Sequence, residues 1–429
     1  MEAIAQFIAD HFELGFWGRQ IVFTLVIAVV ALVVFMVALV IAALITYVER
    51  RVAGRVQSRI GPNRVGPLGL LQWLADGAKM ILKEDVIPAE ADRPLFRLAP
   101  YLVMTGVFGA FASVPFGQLV IGADLNVGVL YLLAITSLVV VGVLMAGWAS
   151  NNKWSLLGGV RAAAQIVSYE IPSALSIMVV VLLSGTLSTQ GIIEAQGGWP
   201  WEWYIFHNPF TFIAFFMYFT SAVAEGNRTP FDLPEAESEL VAGYNTEYSG
   251  IRFGGFFLGE FANVYLMSAI AALLFFGGWQ IPMVSPAEQA DSVWLQLLGV
   301  GIFVAKASLG CTIVVLLRWT FPRLRVDQLM NLCYRYLVPI SFFCLLGTAV
   351  YMMLVPAGSL SDQLVHFATT GFAALLAAIF IWRVFFHIRQ AKDPLDFNVL
   401  ARGKVSRYQP GLHMRAYGAH RRQKAKGVR

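Results

Sequence analysis

Hydrophobic positions along this chain fall in long unbroken runs separated by short polar connections, without the amphipathic periodicity of soluble helices or strands. The run from Ile21 to Tyr47 is 27 residues without one charge. At about 1.5 Å per helical residue it reaches roughly 40 Å, more than the ~30 Å apolar core of a bilayer. Further runs predict helices at about 98–117, 130–150, 162–188, 207–225, 259–281, 297–318, 336–356 and 366–386. With the first, at 21–47, they define an all-α, polytopic membrane helix bundle of about nine transmembrane helices within residues 1–388.

The connections set an orientation. The first, Arg50 to Arg97, holds nine Lys/Arg, and the third, fifth and seventh hold Lys153 and Arg161, Arg228 and Arg252, and Arg318, Arg323, Arg325 and Arg335. The second, fourth, sixth and eighth hold none. By the positive-inside rule the odd connections and the C-terminal tail are cytoplasmic and the N-terminus is outside. The start, with Glu2, Asp10 and Glu13 against the single base Arg19, does not read as a cleaved signal peptide.

Composition agrees: 58% of residues are hydrophobic and only 13% charged, about half the charge of a soluble domain. That excludes a soluble enzyme. The net charge of +5 suggests a basic protein, but eleven Lys/Arg lie in 389–429 against two acids, so the preceding 388 residues are slightly acidic. A basic cytoplasmic tail beside anionic lipid accounts for the sign, and no folded basic face points to nucleic acid. Cys311, Cys333 and Cys344 have no C-x-x-C spacing and the six histidines are scattered, so no metal or iron–sulfur site is expected in this chain.

The candidate chemistry sits in the cytoplasmic connections. In GPNRVGPLGLLQWLADGAKMILKE, Pro62, Gly66 and Pro67 predict a rigid turn before a helix on which Gln72, Asp76, Lys79 and Lys83 form one polar stripe. Such a helix lies flat at the interface, either as an anchor or as one wall of an entry slot for a lipid-soluble ligand. In AEGNRTPFDLPEAESELVAGYNTEY, six acids face one base, Arg228. Asp232 before Pro234 and Glu235 reads as a capped helix start, with Glu235 and Glu239 on one face and Glu237 on another. Apolar flanks predict that these acids enter a partly buried space, where clustered carboxylates cannot all ionise and suit a proton relay.

Two ions interrupt the spans. Glu170, in SYEIP, falls about 13 Å into a helix expected from Arg161. An intramembrane carboxylate is a functional candidate, the alternative being a structural hydrogen bond to a neighbouring Tyr or Ser. For Lys306, snorkelling to the outer interface is the alternative.

Four stretches together carry a resemblance: VERRVAGRVQSRIGPNRVGPLGLLQWLADGAKMILKE (48–84), GWASNNKWSLLGGVRAAAQIVSYEIP (147–172), AEGNRTPFDLPEAESELVAGYNTEYSG (224–250) and RWTFPRLRVDQLM (318–330). Over about residues 15–355 the chain resembles the quinone-site membrane subunit of respiratory complex I, the proton-pumping NADH:quinone oxidoreductase. The resemblance implies a bacterial inner-membrane subunit that encloses most of the quinone chamber and binds no redox centre, with FMN and iron–sulfur clusters in partner subunits of the peripheral arm. It puts Glu49, Arg50 and Arg59 at the membrane mouth of the quinone path, with Trp73 and Asp76 beside them, and makes Arg318, Arg323 and Arg325 chamber-side bases. It makes Glu170, Glu225, Asp232, Glu235, Glu237, Glu239, Glu247, Glu260 and Lys306 the proton relay. Val326 and Cys333 stand where the family usually has tyrosine and tryptophan. Related energy-converting hydrogenases or ferredoxin-fed complexes share the fold, and an ion or solute transporter is a second alternative, although no paired broken helices or internal repeat are visible.

Overall fold

The computed structural model describes residues 16–234, 237–355 and 359–390, with backbone alone at 16–19, 237–238 and 387–390. All regular structure among the described residues is helical. The principal helices are α1 (Phe16–Val56), α2 (Gln72–Leu82), α3 (Arg93–Ala110), α4 (Gly128–Ala149, with one irregular turn), α5 (Lys153–Ser184), α6 (Pro209–Glu225), α7 (Gly250–Phe275), α8 (Val293–Thr320), α9 (Val326–Leu354) and α10 (Leu360–Gln390). Eight are long and apolar enough to cross a membrane, while α6, mostly apolar and ending in Glu225, has 17 residues. At about 26 Å it falls only slightly short of a bilayer core.

Two compact units divide the chain, 1–369 and 370–429. In the first, α7 is the central element: from Phe261 to Phe275 every residue is buried, and it packs against α1, α2, α3 and α8. A second group is formed by α6 and α9 on α5. Of the second unit, the described residues form the remainder of α10, with exposed apolar side chains such as Phe372, Leu375 and Phe380. The basic tail expected over 389–429 lies outside the described residues apart from the backbone of its first two.

Helix ends differ from those read off hydropathy, and charge explains it. Arg93, Lys153 and Arg252 lie in the first turns of α3, α5 and α7, so these helices begin before their apolar runs. Likewise α1 continues through Glu49–Arg55. A helix satisfies its own backbone across the interface and needs apolar side chains only inside the core. At the far ends, backbone geometry stops the helices early. Gly185 caps α5 with φ 68°, and α7 stops before the left-handed pair Gly277 and Gly278.

Small residues set the close approaches, as membrane interiors favour. A Cβ on Gly142 would come within 2.6 Å of Val103, so α3 and α4 nearly touch there. Prolines inside two helices are answered from outside them. Pro100 cannot donate to Phe96 O, and the Tyr248 hydroxyl does so instead at 3.1 Å. Pro172 leaves Ser168 O free, and the Cys333 thiol donates to it at 3.1 Å. Cys333, an unexplained departure in the sequence, thus has a packing role.

Gly158 on α5 abuts the turn at Gly243–Asn245: an added Cβ would lie 2.6 Å from Gly243 Cα and 2.8 Å from Tyr244 N, both backbone. Gly158→Ala is therefore expected to lower stability by about 1–3 kcal/mol, read as a lower unfolding midpoint of the purified protein. Gly77→Ala on α2, with nothing within 4 Å, is expected to lower it not at all.

Candidate functional site

The basic end of α1 presents Glu49 and Arg50 in different directions, as adjacent helical positions must. Glu49 turns inward and is 8% exposed. One of its oxygens accepts from Arg318 Nη1 near the end of α8, the other from Arg228 Nη1 at 3.3 Å. Arg228, in the connection after α6 and 3% exposed, also reaches Glu260 of α7 through Nη2 at 3.1 Å. Its guanidinium lies over the Phe261 ring, 4.2 Å from the centroid, so an apolar face covers what the carboxylates do not. One planar fork serving two anions is a task that arginine's geometry allows and lysine's does not. The result is an alternating row, Glu260–Arg228–Glu49–Arg318, buried at its centre and drawn from four distant segments.

Asp232 joins this row from the same connection. It accepts from Arg323 Nη2 at 2.9 Å and lies within electrostatic range of Arg318, Arg228 and Glu260. Burial pushes its carboxyl above the usual aspartate range, while pairing and hydrogen bonding with Arg323, then Arg318 and Arg228, pull it down. The connection is fixed by buried Gln165 of α5, which donates to the carbonyls of Ala224 and Phe231, both at 2.7 Å. The Leu324 amide adds a bond to Pro230 O at 3.0 Å.

A second group lies beside it. Glu225 ends α6 and is an electrostatic neighbour of Glu170 on α5. Because α5 starts at Lys153, Glu170 is about 26 Å along the helix, the added length lying before the apolar run. The structural alternative for Glu170 is not realised: Ser173 donates to the Glu170 backbone carbonyl, Tyr169 to Leu329 O, and Ser168 pairs with Tyr334. One Glu170 carboxyl oxygen is buried without a hydrogen-bond partner. Glu225 faces a cavity of about 30 Å³ shared with Ser173, Tyr218 and Asn263.

At the flank, Arg50 pairs with Asp76 on α2, which also meets Gln72 at 3.2 Å and Lys79 at 3.8 Å. The stripe read from the sequence is thus an ion cluster turned toward α1. Trp73 is half-buried on the same helix, while Leu74, Ile81 and Leu82 remain exposed.

Other expected members are placed elsewhere. Glu239 pairs with Arg161 at 2.8 Å, and Glu247 accepts from Asn152 at 2.6 Å, both against the start of α5. Among the described residues the acids of this connection therefore do not converge: Asp232 reaches the row, because Gln165 holds the 224–231 backbone inward, and Glu239 and Glu247 do not. The expected helix is a single described turn, Glu237–Leu240, and Asp232 serves Arg323 instead of capping it. Glu235 and the Glu237 side chain lie outside the described residues. Arg59 is exposed and bonds Gln57, and Arg325 is exposed. Lys306 stands apart, donating to Phe276 O and Gly278 O at 2.6 and 2.9 Å beneath the Trp203 ring. It neutralises the carbonyl end of α7, and among the described residues no carboxylate pairs with it. Among the described residues, no group of three or more His, Cys, Asp and Glu is arranged to hold a metal.

Arg228 and Gln165 are central here and were not among the expected site residues. The signal for Arg228 was its isolation, one base in an acidic stretch. Gln165 gave none.

These features define a polytopic helical membrane protein with a buried ion network at the basic end of its bundle. The chain belongs to the NADH dehydrogenase family, whose model matches residues 28–349. It is 54% identical over 349 residues to the H subunit of the NADH-quinone oxidoreductase of Anaeromyxobacter dehalogenans, covering 79% of this chain and 84% of that protein. The corresponding proteins of Chlorobium luteolum, at 46% over 72% of this chain and 84% of theirs, and Dehalococcoides mccartyi, at 48% over 72% and 82%, are also similar.

Removing Arg228 strands Glu260 and leaves Glu49 with Arg318 alone. Arg228→Gln is expected to cost about 3–5 kcal/mol in the unfolding of the purified protein, and Arg228→Lys to recover only part, since a point charge cannot span both. An unchanged midpoint in Arg228→Gln would show the row to be energetically idle.

Proposed function

We propose that this chain is the membrane subunit of a proton-translocating NADH:quinone oxidoreductase, forming the quinone access chamber and coupling quinone reduction to proton movement. The observation that carries the proposal is the buried row Glu260–Arg228–Glu49–Arg318, set between the amphipathic α2 and the inner pair Glu225 and Glu170. In this reading α2, with Trp73 and Asp76, and Arg50 of α1 form the entry, and lipid-soluble quinone approaches along their apolar surface. Electrons come from iron–sulfur clusters and FMN in the peripheral-arm subunits. The chain is a bacterial inner-membrane protein with its N-terminus outside and its basic tail cytoplasmic.

Reduction of quinone to quinol consumes protons and changes the charge facing the row. Each arginine in the row is committed to carboxylates, so protonation of one acid releases part of a guanidinium to the next. Asp232, whose carboxyl is held above its ordinary range, is the member outside the spans best suited to accept a proton. Glu225 and then Glu170 extend the path into the membrane, where the unpartnered Glu170 oxygen provides an acceptor. Protons exchanged among such close groups belong to the set as a whole. Lys306 acts in this scheme as a support for α7.

Glu170→Gln keeps the shape and removes the titrating group. It is expected to lower quinone reductase activity and proton pumping together, at least about tenfold if the relay contributes as an ordinary acid–base group, with the complex still assembled. Normal pumping by an assembled Glu170→Gln complex would take this residue out of the relay. Purification in mild detergent is expected to bring iron–sulfur and flavin subunits with the chain; recovery of a hydrogenase large subunit instead would favour proton reduction over quinone chemistry.

A further inference from the structure

Two histidines far apart in the sequence meet at the end of the bundle opposite the ion row. His207 lies in the connection before α6, and His366 in the second turn of α10. Thr369, one turn further along α10, donates to the Phe206 carbonyl and so sets the two side chains against each other. Their rings are 6.1 Å apart between centroids and nearly perpendicular, at 89°. Both residues are half-buried, and the Nδ1 atom of His207 is buried without a hydrogen-bond partner. They border a cleft of about 740 Å³ together with Gln196, Glu202, Tyr204 and Asp362, and no Lys or Arg lines it. The Glu202 carboxylate accepts from the Trp199 amide at 3.2 Å, and Asp362 from the Tyr351 hydroxyl at 2.8 Å. These donors are neutral, so the cleft keeps a negative field.

Spacing and chemistry select a ligand class. Buried polar atoms are rarely left unpaired, and imidazole is the commonest protein ligand of metals. Two imidazoles bound to one ion at about 2.0–2.1 Å have ring centroids about 5–6.4 Å apart, and the observed spacing falls in that range. Such nitrogen donors favour zinc, copper and nickel over magnesium and calcium, and the acidic cleft admits a cation. We propose that His207 and His366 form a binding site for a zinc-class divalent cation, which clasps the start of α10 to the connection before α6. Since no group of three His, Cys, Asp or Glu is arranged for a metal among the described residues, water completes the shell and the ion exchanges readily. His366 lies beyond residues 28–349, the part that the family model matches, so one half of the clasp is outside the shared bundle.

The test is zinc titration of the purified full chain against a chromophoric chelator of known affinity, with calcium in excess. The unaltered protein is expected to bind one zinc that His207→Gln and His366→Gln each bind at least about tenfold more weakly, the smaller loss seen when even a supporting partner of a metal ligand is removed. Copper bound at the same place in the unaltered protein is expected to show, by pulsed electron paramagnetic resonance, the modulation of two imidazoles. That signature does not depend on how any variant folds. Equal zinc affinity in the unaltered protein and both variants, or bound copper without two imidazoles, would overturn the proposal.

Discussion

Arg228 holds its charge where water barely reaches, and the surrounding architecture is the means of keeping that charge answered. A lone guanidinium in such a place is costly, and so are lone carboxylates. Glu49, Glu260 and Arg228 are stable together because each supplies what the others lack, with Phe261 covering the remaining face. Since the partners come from α1, α7 and the connection after α6, the pairing fixes those segments relative to one another. Arg318 adds α8 by taking the other oxygen of Glu49. Polar contacts of Gln165 and Leu324 then hold the connection's backbone at the depth the arginine requires.

The neighbouring carboxylates obey a different rule. Among the described residues, no basic side chain pairs with Glu170, and the hydroxyls of its sequence neighbours Tyr169 and Ser173 are engaged with carbonyls. Glu225 faces a small cavity instead of a cation. The two groups thus combine tightly paired charge on one side with weakly partnered acids on the other. A carboxylate paired with arginine gives up a proton readily, so a proton reaching the row is passed on instead of held, which is the gradient of environment a relay needs.

The spans and the amphipathic helix were legible because hydrophobic length and the spacing of Gln72, Asp76 and Lys79 are properties of contiguous sequence. Helix ends were less so, since an apolar window stops at Arg97 or Arg161 although the helix continues back to Arg93 or Lys153. The acidic connection was recognised as chemically unusual, yet its acids separate in the structure, Asp232 inward and Glu239 and Glu247 to the flank of α5. That division depends on Gln165, 59 residues before the Ala224 carbonyl it binds, and no local pattern encodes it. Lys306 was noticed for its charge, but its partners are carbonyls of another helix end, which carry no mark in the sequence.

The two prolines bear on how the bundle is assembled. Each removes a bond that α3 or α5 would form within itself and replaces it with one to Tyr248 or Cys333, 152 and 165 residues away. Inserted alone, either helix would carry an open carbonyl in the membrane, so its completion awaits a segment made much later. Completion of these helices therefore follows the order of synthesis: α3 is finished when the residues before α7 dock, and α5 only when α9 arrives. A ribosome-bound intermediate lacking α9 would hold an α5 that is inserted but not yet locked, with Glu170 two residues from the weak point.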